Sequence, residues 1–195
     1  MALATLADVK AHLGIPSNNT TQDAALTADL AGAAAWVAET ARANGVQLEE
    51  SKDYIELLDG QDSHRLFTSL RPIQKVTEVR MDNNDDPLWD DDSIVDAALY
   101  RVYGPLGLLK KETRWTEGFQ NIKIKYDAGY ATGANQLAQV KTGVCMLTAH
   151  LHGVAGKEGL SSEKIGNYSY TTAEAQKVPG LMLLLGSIIS PPVMY

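Results

Sequence analysis

The chain has 195 residues, of which 45% are hydrophobic and 21% charged, a composition typical of one globular domain or of one domain with a large insertion. Its net charge of −7 argues against a general nucleic-acid-binding protein, because phosphate contacts need clustered lysine and arginine. Cys145 is the single cysteine, which excludes an intrachain disulfide, and its apolar helical surroundings predict a buried, unreactive thiol.

Two helices are predicted at the N-terminus. Thr5 is a suitable N-cap for a short helix that ends at Gly14, and Asp8 suits the positive end of that helix. Asp8 and Lys10 interrupt the apolar pattern, so the segment does not have the features of a signal peptide. A second, alanine-rich helix is predicted over about Asp23 to Ala43.

Beyond Asp53 the pattern changes to short alternating segments that are typical of strands. The predicted strands are Tyr54–Leu58, His64–Phe67, Lys75–Met81, Leu99–Tyr103 and Asn121–Tyr126. Short strands at this spacing predict a small antiparallel sheet or barrel.

The stretch from Trp115 to Tyr130 joins two differently patterned parts of the chain. Gly129 ends the last alternating strand, and from Asn135 to about His152 the apolar spacing becomes helical. We therefore predict an α+β fold in which a helical core, residues 1–48 and 131–195, is interrupted by a small antiparallel β insertion, residues 49–130. The core would contain two N-terminal helices and one long helix after residue 135, with Trp115, Phe119 and Tyr130 packed at the junction.

The C-terminal segment forms an apolar tail. A weakly alternating run from Lys164 to Thr171 fits a short strand or an extended arm, and Pro179 can begin a final short helix. A helix that is apolar nearly all round must be buried in its own core or against a partner, and the pattern supports both alternatives equally. The residues predicted for partner binding are Leu181, Leu184, Leu185, Ile188, Ile189, Met194 and Tyr195.

An acidic loop follows the third predicted strand. Its aspartates are Asp82, Asp85, Asp86, Asp90, Asp91 and Asp92. Clustered carboxylates suit a hard cation such as calcium, so a metal-binding module or a metal-dependent enzyme is the alternative function. An EF-hand loop counted from Asp82 would however place Pro87 where glycine is needed and Ser93 where glutamate is needed. We therefore favour a solvated acidic loop and expect neither a metal nor a cofactor.

The sequence shows no catalytic constellation. His150 and His152 are two residues apart and so point to different faces of a helix, and no zinc-binding motif includes them. The basic cluster Lys110, Lys111 and Arg114 lies close to Trp115, which makes a DNA-binding module a third hypothesis. The acidic overall charge favours a solvated hairpin end for this cluster instead.

Six segments, in order along the chain, carry a resemblance to a known family. They are Leu6–Gly14, the alanine-rich helix ending near Trp36, Asp59-Gly60, Arg71-Pro72-Ile73 with Val76 and Val79, Trp115–Tyr130 and Ile165–Tyr170. In this order and spacing they resemble the head–tail connector proteins (adaptor or head-completion proteins) of long-tailed double-stranded DNA bacteriophages and related gene-transfer agents. The resemblance covers about Thr5 to Tyr170. It departs from the family at Gly133-Ala134-Asn135, where relatives often carry a proline, and in the tail after Tyr170.

The resemblance implies a structural virion protein without catalytic activity. It implies a ring, commonly twelve-fold, which sits under the portal of the filled capsid, extends the DNA channel and docks the next head-completion or tail protein. The expected partners are therefore the portal ring, that downstream protein and other copies of this chain, with DNA only as passing cargo and no membrane. The expected location is the head–tail interface of the virion, after assembly in the host cytoplasm. The acidic loop would lie on the channel wall or on a protein-facing surface, and the apolar tail would dock onto the portal or a neighbouring subunit.

Overall fold

The computed structural model describes residues 2–82, 89, 93–155, 162–165, 168–171, 181, 185, 186 and 188. Its helices are α1 (Leu6–Leu13), α2 (Asp23–Ala43) and α3 (Asn135–Val154). Its strands are β1 (Ser51–Gly60), β2 (Ser63–Phe67), β3 (Ile73–Met81), β4 (Tyr100–Tyr103), β5 (Leu108–Trp115), β6 (Gly118–Ala128), β7 (Ser162–Ile165) and β8 (Tyr168–Thr171). The prediction of a mixed α+β fold is confirmed. Among these residues no helix combines the length and apolar character needed to cross a membrane.

The described residues form two compact units. One combines Met1–Asn44 with Gly133–Ser190 and contains the three helices. The other spans Gly45–Thr132 and contains strands β1 to β6. Each unit has its own buried apolar side chains.

Helix α1 begins at the predicted N-cap Thr5, and Asp8 completes a capping box with it. The Thr5 hydroxyl accepts the N–H of Asp8 at 3.3 Å, and the Asp8 carboxylate accepts the N–H of Thr5 at 2.9 Å. Lys141 of α3 lies 2.5 Å from the same carboxylate. The hydrogen bonds from Lys141 and Thr5 lower the pKa of Asp8 to about 2, so this carboxylate stays ionised and joins α1 to α3.

Lys10 is a buried cation that holds the α1–α2 connection. Only 6% of the residue is exposed, and its ammonium lies 2.5 Å from the carboxylate of Asp23. It also donates to the backbone oxygens of Asn19 at 2.9 Å and Ser17 at 3.3 Å. The polar linker between the helices is therefore ordered around a single side chain, because these oxygens share its three donors.

The core of the helical unit is built from small and branched side chains. The buried residues of α2 recur at intervals of seven or four positions, which places them on one side of the helix, and α2 packs against α3. The buried side chains are Leu26, Ala33, Val37 and Ala41 from α2 and Val140, Val144, Cys145 and Leu147 from α3. Burial raises the pKa of the Cys145 thiol, in agreement with the predicted unreactive state.

The β unit contains two three-stranded antiparallel sheets, with strand orders β1-β6-β3 and β2-β5-β4. The sequence pattern predicts five strands and a hairpin end around Lys110. The prediction of a hairpin end is wrong, because Leu108–Trp115 forms β5, the central strand of the second sheet. The segment predicted as one strand or an arm from Lys164 to Thr171 contains parts of two strands, since β7 pairs with β8 as a hairpin.

Trp115 is the largest fully buried side chain of the β unit. It packs with Tyr100, at 6.4 Å between ring centroids, and with apolar residues from both sheets. The principal members of this core are Leu66, Ile73, Val79, Leu109, Ile122, Ile124 and Tyr126. The expectation that Phe119 also packs at the junction is wrong, because this side chain is 81% exposed.

The backbone at Gly129 closes the β unit with a conformation that favours glycine. Its φ is +92°, its N–H donates to the oxygen of Pro72 at 2.9 Å, and its own oxygen accepts the side-chain amide of Gln74 at 2.7 Å. Tyr130 then forms a parallel bridge with Glu49. Hydrogen bonds to both the N–H and the oxygen of Gly129 therefore hold the predicted turn in place.

Candidate functional site

A row of three cations crosses the β2-β5-β4 sheet. In the register of the strands, Arg65 of β2 and Arg101 of β4 both lie directly opposite Lys110 of β5. Residues directly opposite on antiparallel strands share a face of the sheet, so the three side chains point the same way. All three are exposed. We call Arg65, Lys110 and Arg101 the basic row.

The basic row has no anionic partner among the residues that the structure describes. No side-chain hydrogen bond or ion pair there involves any of its three cations. Glu112, two residues along β5 on the same face, is the nearest acidic residue in the strand but forms no ion pair with Lys110. Like charges that lie opposite each other destabilise a sheet, so the row is a local electrostatic cost within the described part of the chain.

Apolar side chains lie beside the basic row. Two residues further along their strands, on the same face as the basic row, Phe67 and Tyr103 lie opposite Leu108, and both are about 40% exposed. Arg101, Lys110 and Tyr103 also line a concavity of about 450 Å³. The face thus combines uncompensated positive charge with exposed aromatic surface, a combination that protein interfaces use.

The basic cluster predicted from the sequence does not form one surface. Lys111 points to the opposite face from Lys110, is 7% exposed, and places its ammonium 5.2 Å from the centre of the Trp115 ring. Burial lowers the pKa of Lys111. Arg114 pairs with Asp62 at 2.5 Å. A nucleic acid could therefore not stack on Trp115, which is fully buried, and only Lys110 of the predicted cluster belongs to the basic row.

Sequence reasoning missed Arg65 and Arg101. Each is a single cation in its own strand, and Arg65 is far from Lys110 along the chain, whereas Arg101 is separated from it by the short connection between β4 and β5. Only the strand register brings the three together, and register between distant strands is not readable from one sequence. The usable signal was the alternation in β2 and β4, which places each arginine on one face of its strand.

The β1-β6-β3 sheet has an exposed apolar edge. Ile55 and Leu57 of β1 are 52% and 44% exposed, and β1 is an edge strand of its sheet. They lie opposite Lys125 and Lys123 of β6. Exposed apolar side chains on an edge strand are unusual in a protein that acts alone, and they provide a second surface suited to a protein partner.

Most of the predicted acidic loop lies outside the described residues. Asp82 is half-buried, and its N–H donates to the oxygen of Asn121 at 2.8 Å. Asp85, Asp86, Asp90, Asp91 and Asp92 are not described. Where the chain is described, no group of three or more histidine, cysteine, aspartate or glutamate side chains could hold a metal ion.

The described leucine and isoleucine side chains of the C-terminal segment are buried. Leu181, Leu185 and Ile188 are at most 4% exposed and belong to the helical unit. The Leu185 side chain lies against Gly143 of α3, where a methyl group in place of the glycine hydrogen would approach it to 2.7 Å. This contact favours the chain's own core for these three residues. Leu184, Ile189, Met194 and Tyr195 lie outside the described residues, and their predicted partner contact stays a prediction.

Three solved structures contain chains of the same fold. A chain in the virion of a native gene transfer agent (GTA) particle has 17% sequence identity and a TM-score of 0.52, over 98% of this chain and 92% of that one. A chain in the neck of an empty GTA particle, computed with C6 symmetry, has 17% sequence identity and a TM-score of 0.53, over 98% of this chain and 92% of that one. A chain in the neck of a native GTA particle, computed with C12 symmetry, has 17% sequence identity and a TM-score of 0.50, over 97% of this chain and 90% of that one.

This chain shares its fold with chains of gene transfer agent particles. The likeness extends over nearly the full length of both chains, so it includes the helical and the β-rich parts. No family model and no curated protein matches the sequence.

Proposed function

We propose that this chain is a structural subunit of a virion neck and forms an oligomeric ring between the portal and the tail. As a head-completion protein, the ring would extend the DNA channel and dock the next connector or tail protein. Twelve copies are the proposed number, with DNA only as passing cargo. The proposed location is the head–tail interface, with assembly in the host cytoplasm. No catalytic step and no cofactor form part of the proposal.

One observation carries the proposal. The fold likeness to a chain of a GTA neck structure covers 98% of this chain and 92% of that chain. A likeness of that extent supports a shared architecture of the whole subunit, whereas a common small domain would match only one of the two units. The family resemblance of segments from Thr5 to Tyr170, read from the sequence alone, points to the same class of protein.

The described surfaces agree with a protein that works by assembly. A ring subunit contacts two identical neighbours through two different patches, and it contacts further proteins above and below. The basic row with its aromatic neighbours and the Ile55–Leu57 edge are two separate surfaces of this kind. The tail would complete the docking surface through its undescribed residues Leu184, Ile189, Met194 and Tyr195.

Light scattering of the purified chain, alone and with portal rings from the same particle, tests the proposal. We expect a stoichiometric complex on the portal, with a mass that corresponds to several copies per portal ring. The free chain is allowed to be a monomer, because a connector subunit can assemble only on its partner. Absence of any complex at micromolar concentrations of both proteins would refute portal docking.

A further inference from the structure

We propose that the turn around Phe119 in one copy of the chain docks into the concavity beside the basic row of a neighbouring copy. This inference rests on the proposed ring and names the contact between adjacent subunits. Both patches belong to the β unit and lie among the described residues. We call the first patch the Phe119 tip, which consists of Phe119 with the carboxylates of Asp59 and Glu117. The second patch is the concavity of about 450 Å³, whose walls include Leu99, Arg101, Tyr103 and Lys110.

Phe119 is the most exposed large hydrophobic side chain among the described residues. It is 81% exposed, whereas the next, Leu99, is 56% exposed. Burial of an aromatic side chain removes about 150–250 Å² of surface from water. Buried aromatic anchors also carry much of the binding energy of protein interfaces. Phe119 is therefore suited to anchor a contact with another protein.

The backbone around Phe119 holds its ring outside the β unit. Gln120 has φ +48°, a left-handed conformation, and its N–H donates to the carboxylate of Asp59 at 2.7 Å. Asn121 is 6% exposed, and its side-chain oxygen accepts the N–H of Gly60 at 2.8 Å. A non-glycine residue at positive φ is unfavourable by itself, so these hydrogen bonds hold the turn in one shape. A fixed turn loses little conformational entropy when it binds, which favours a docking contact.

The Phe119 tip carries negative charge that the described part of the chain does not neutralise. Asp59 and Glu117 are exposed and form no ion pair with any described residue. Asp62, three residues after Asp59, is in contrast paired with Arg114 at 2.5 Å. The tip therefore presents an aromatic ring together with two carboxylates, and it is suited to a surface that is both apolar and cationic.

The concavity has these complementary properties. Leu99 and Tyr103 are 56% and 40% exposed and supply apolar walls. Arg101 and Lys110 supply two cations that form no ion pair with a described residue. A cavity of about 150 Å³ holds a benzene ring, so the concavity is large enough for the Phe119 side chain. A guanidinium also stacks favourably on an aromatic ring, and both cations attract carboxylates.

The two patches are placed as a ring interface requires. The concavity uses β5 up to Thr113, and the turn that carries Phe119 lies beyond Trp115, where β5 ends. One copy can therefore offer its tip to one neighbour and its concavity to the other, which is the heterologous contact that builds a ring. Duplex DNA is a poorer occupant, because Glu112 lines the same concavity and would repel phosphate.

Photo-crosslinking in purified particles tests the contact directly. Phe119 is replaced by the photoreactive residue p-benzoylphenylalanine in the producing host, and the proteins of irradiated particles are separated by mass. We expect a product with twice the mass of the chain, in which mass spectrometry maps the crosslink to residues 98–113 of the second copy. The reciprocal probe at Tyr103 should crosslink to residues 116–120. A control probe at Leu13, an exposed residue of α1, should not crosslink to residues 98–113 of another copy.

Variants with altered tips and concavities give an independent test. Phe119→Ala should lower the number of copies per particle about tenfold, because the anchor is lost, while Leu13→Ala should be incorporated normally. Glu117→Lys and Lys110→Glu should each lower incorporation, because like charges then meet at every interface. The double variant should recover most of that loss, because each copy then carries reversed charge on both patches. Circular dichroism of each purified variant shows that it is folded.

The outcomes separate the inference from the proposed function. Absence of the wild-type chain from purified particles would refute the proposed neck function itself. If the chain is present but the Phe119 probe crosslinks only to a different protein or to DNA, or to nothing, the inference alone is overturned. Normal incorporation of Phe119→Ala, or no recovery in the double variant, would likewise show that the tip and the concavity do not join neighbouring copies.

Discussion

Replacement of Gly129 by alanine should destabilise the β unit through two separable costs. The first is conformational, because an L-residue held at φ +92° lowers the free energy of unfolding by about 1–2 kcal/mol. The second is steric, because the new methyl group would lie 2.1 Å from the backbone oxygen and 2.7 Å from the carbonyl carbon of Glu49. Overpacking of this kind costs about 1–3 kcal/mol, since the backbone of Glu49 must move.

Gly133→Ala is the matched control. Gly133 has φ +87°, close to the value at Gly129, but a methyl group there would meet nothing within 4 Å. It should therefore lose only the conformational part, about 1–2 kcal/mol. The total for Gly129→Ala is about 2–5 kcal/mol, against about 5–15 kcal/mol of stability for a typical domain.

Urea unfolding followed by circular dichroism measures both variants, and thermal unfolding should show a loss of about 2–4 °C for each kcal/mol. We expect Gly129→Val to be worse than alanine, with stability and ring assembly lost together, because a β-branched residue tolerates positive φ poorly. Equal losses for Gly129→Ala and Gly133→Ala would refute the steric argument. A Gly129→Val protein that folds and assembles like the wild type would refute the whole account of this turn.

Three further predictions concern buried or linked side chains. Trp115→Ala should lose about 3–5 kcal/mol of unfolding free energy. Trp115→Phe should lose less, because it removes only part of the buried ring and the indole N–H has no hydrogen-bond partner among the described residues. Urea titrations compare the two variants, and equal losses would contradict this. Lys10→Met should lose about 3–5 kcal/mol of unfolding free energy, because it leaves the Asp23 carboxylate without its cation. The double variant with Asp23→Leu should recover part of that loss in the same assay. No recovery would argue against a coupled pair. Asp8→Asn should lose about 1–2 kcal/mol at pH 7 through the cap and the exposed part of the Lys141 pair. The pKa of Asp8 is lowered to about 2, so its ionic contribution is fully present above about pH 4 and is lost as the pH falls through 2. The difference in stability between variant and wild type should therefore shrink steadily over this range, and a difference that stays constant between pH 7 and pH 2 would refute the linkage.

The helices were predictable from the sequence because local signals determine them. The apolar period and the flanking residues predicted α2 over Asp23–Ala43, which are its observed bounds. Thr5 predicted the N-cap of α1, and Asp8 was predicted to suit the positive end of the helix, where it closes the capping box. These features depend on neighbours within one turn, so no knowledge of the remaining fold was needed.

Strand β5 was not predictable by the same reasoning. Its alternation is disguised, because Lys111 occupies an inward position that an apolar residue normally fills. The ammonium is accommodated by the face of Trp115, a tertiary contact that the local pattern does not contain. The segment therefore looked like an exposed basic turn when it is the centre of a sheet.

The candidate surface was also beyond the sequence pattern. The basic row depends on the pairing of β5 with both β2 and β4, and a long segment separates β2 from β5 along the chain. A shift of the register by one residue would move Arg65 and Arg101 to the opposite face from Lys110. Composition revealed the acidic segment, but only the structure revealed the basic row.

Cryo-electron microscopy of the particle neck tests the central proposal most directly. Particles from the producing host should be compared with particles from a strain that lacks the gene for this chain. We predict that the wild-type neck contains a ring of density, between portal and tail, into which the helical unit and the β unit each fit. Without the gene, that ring should be absent and filled heads should lack tails. Necks with identical density and normal tails in both preparations would contradict a role for this chain as a neck subunit.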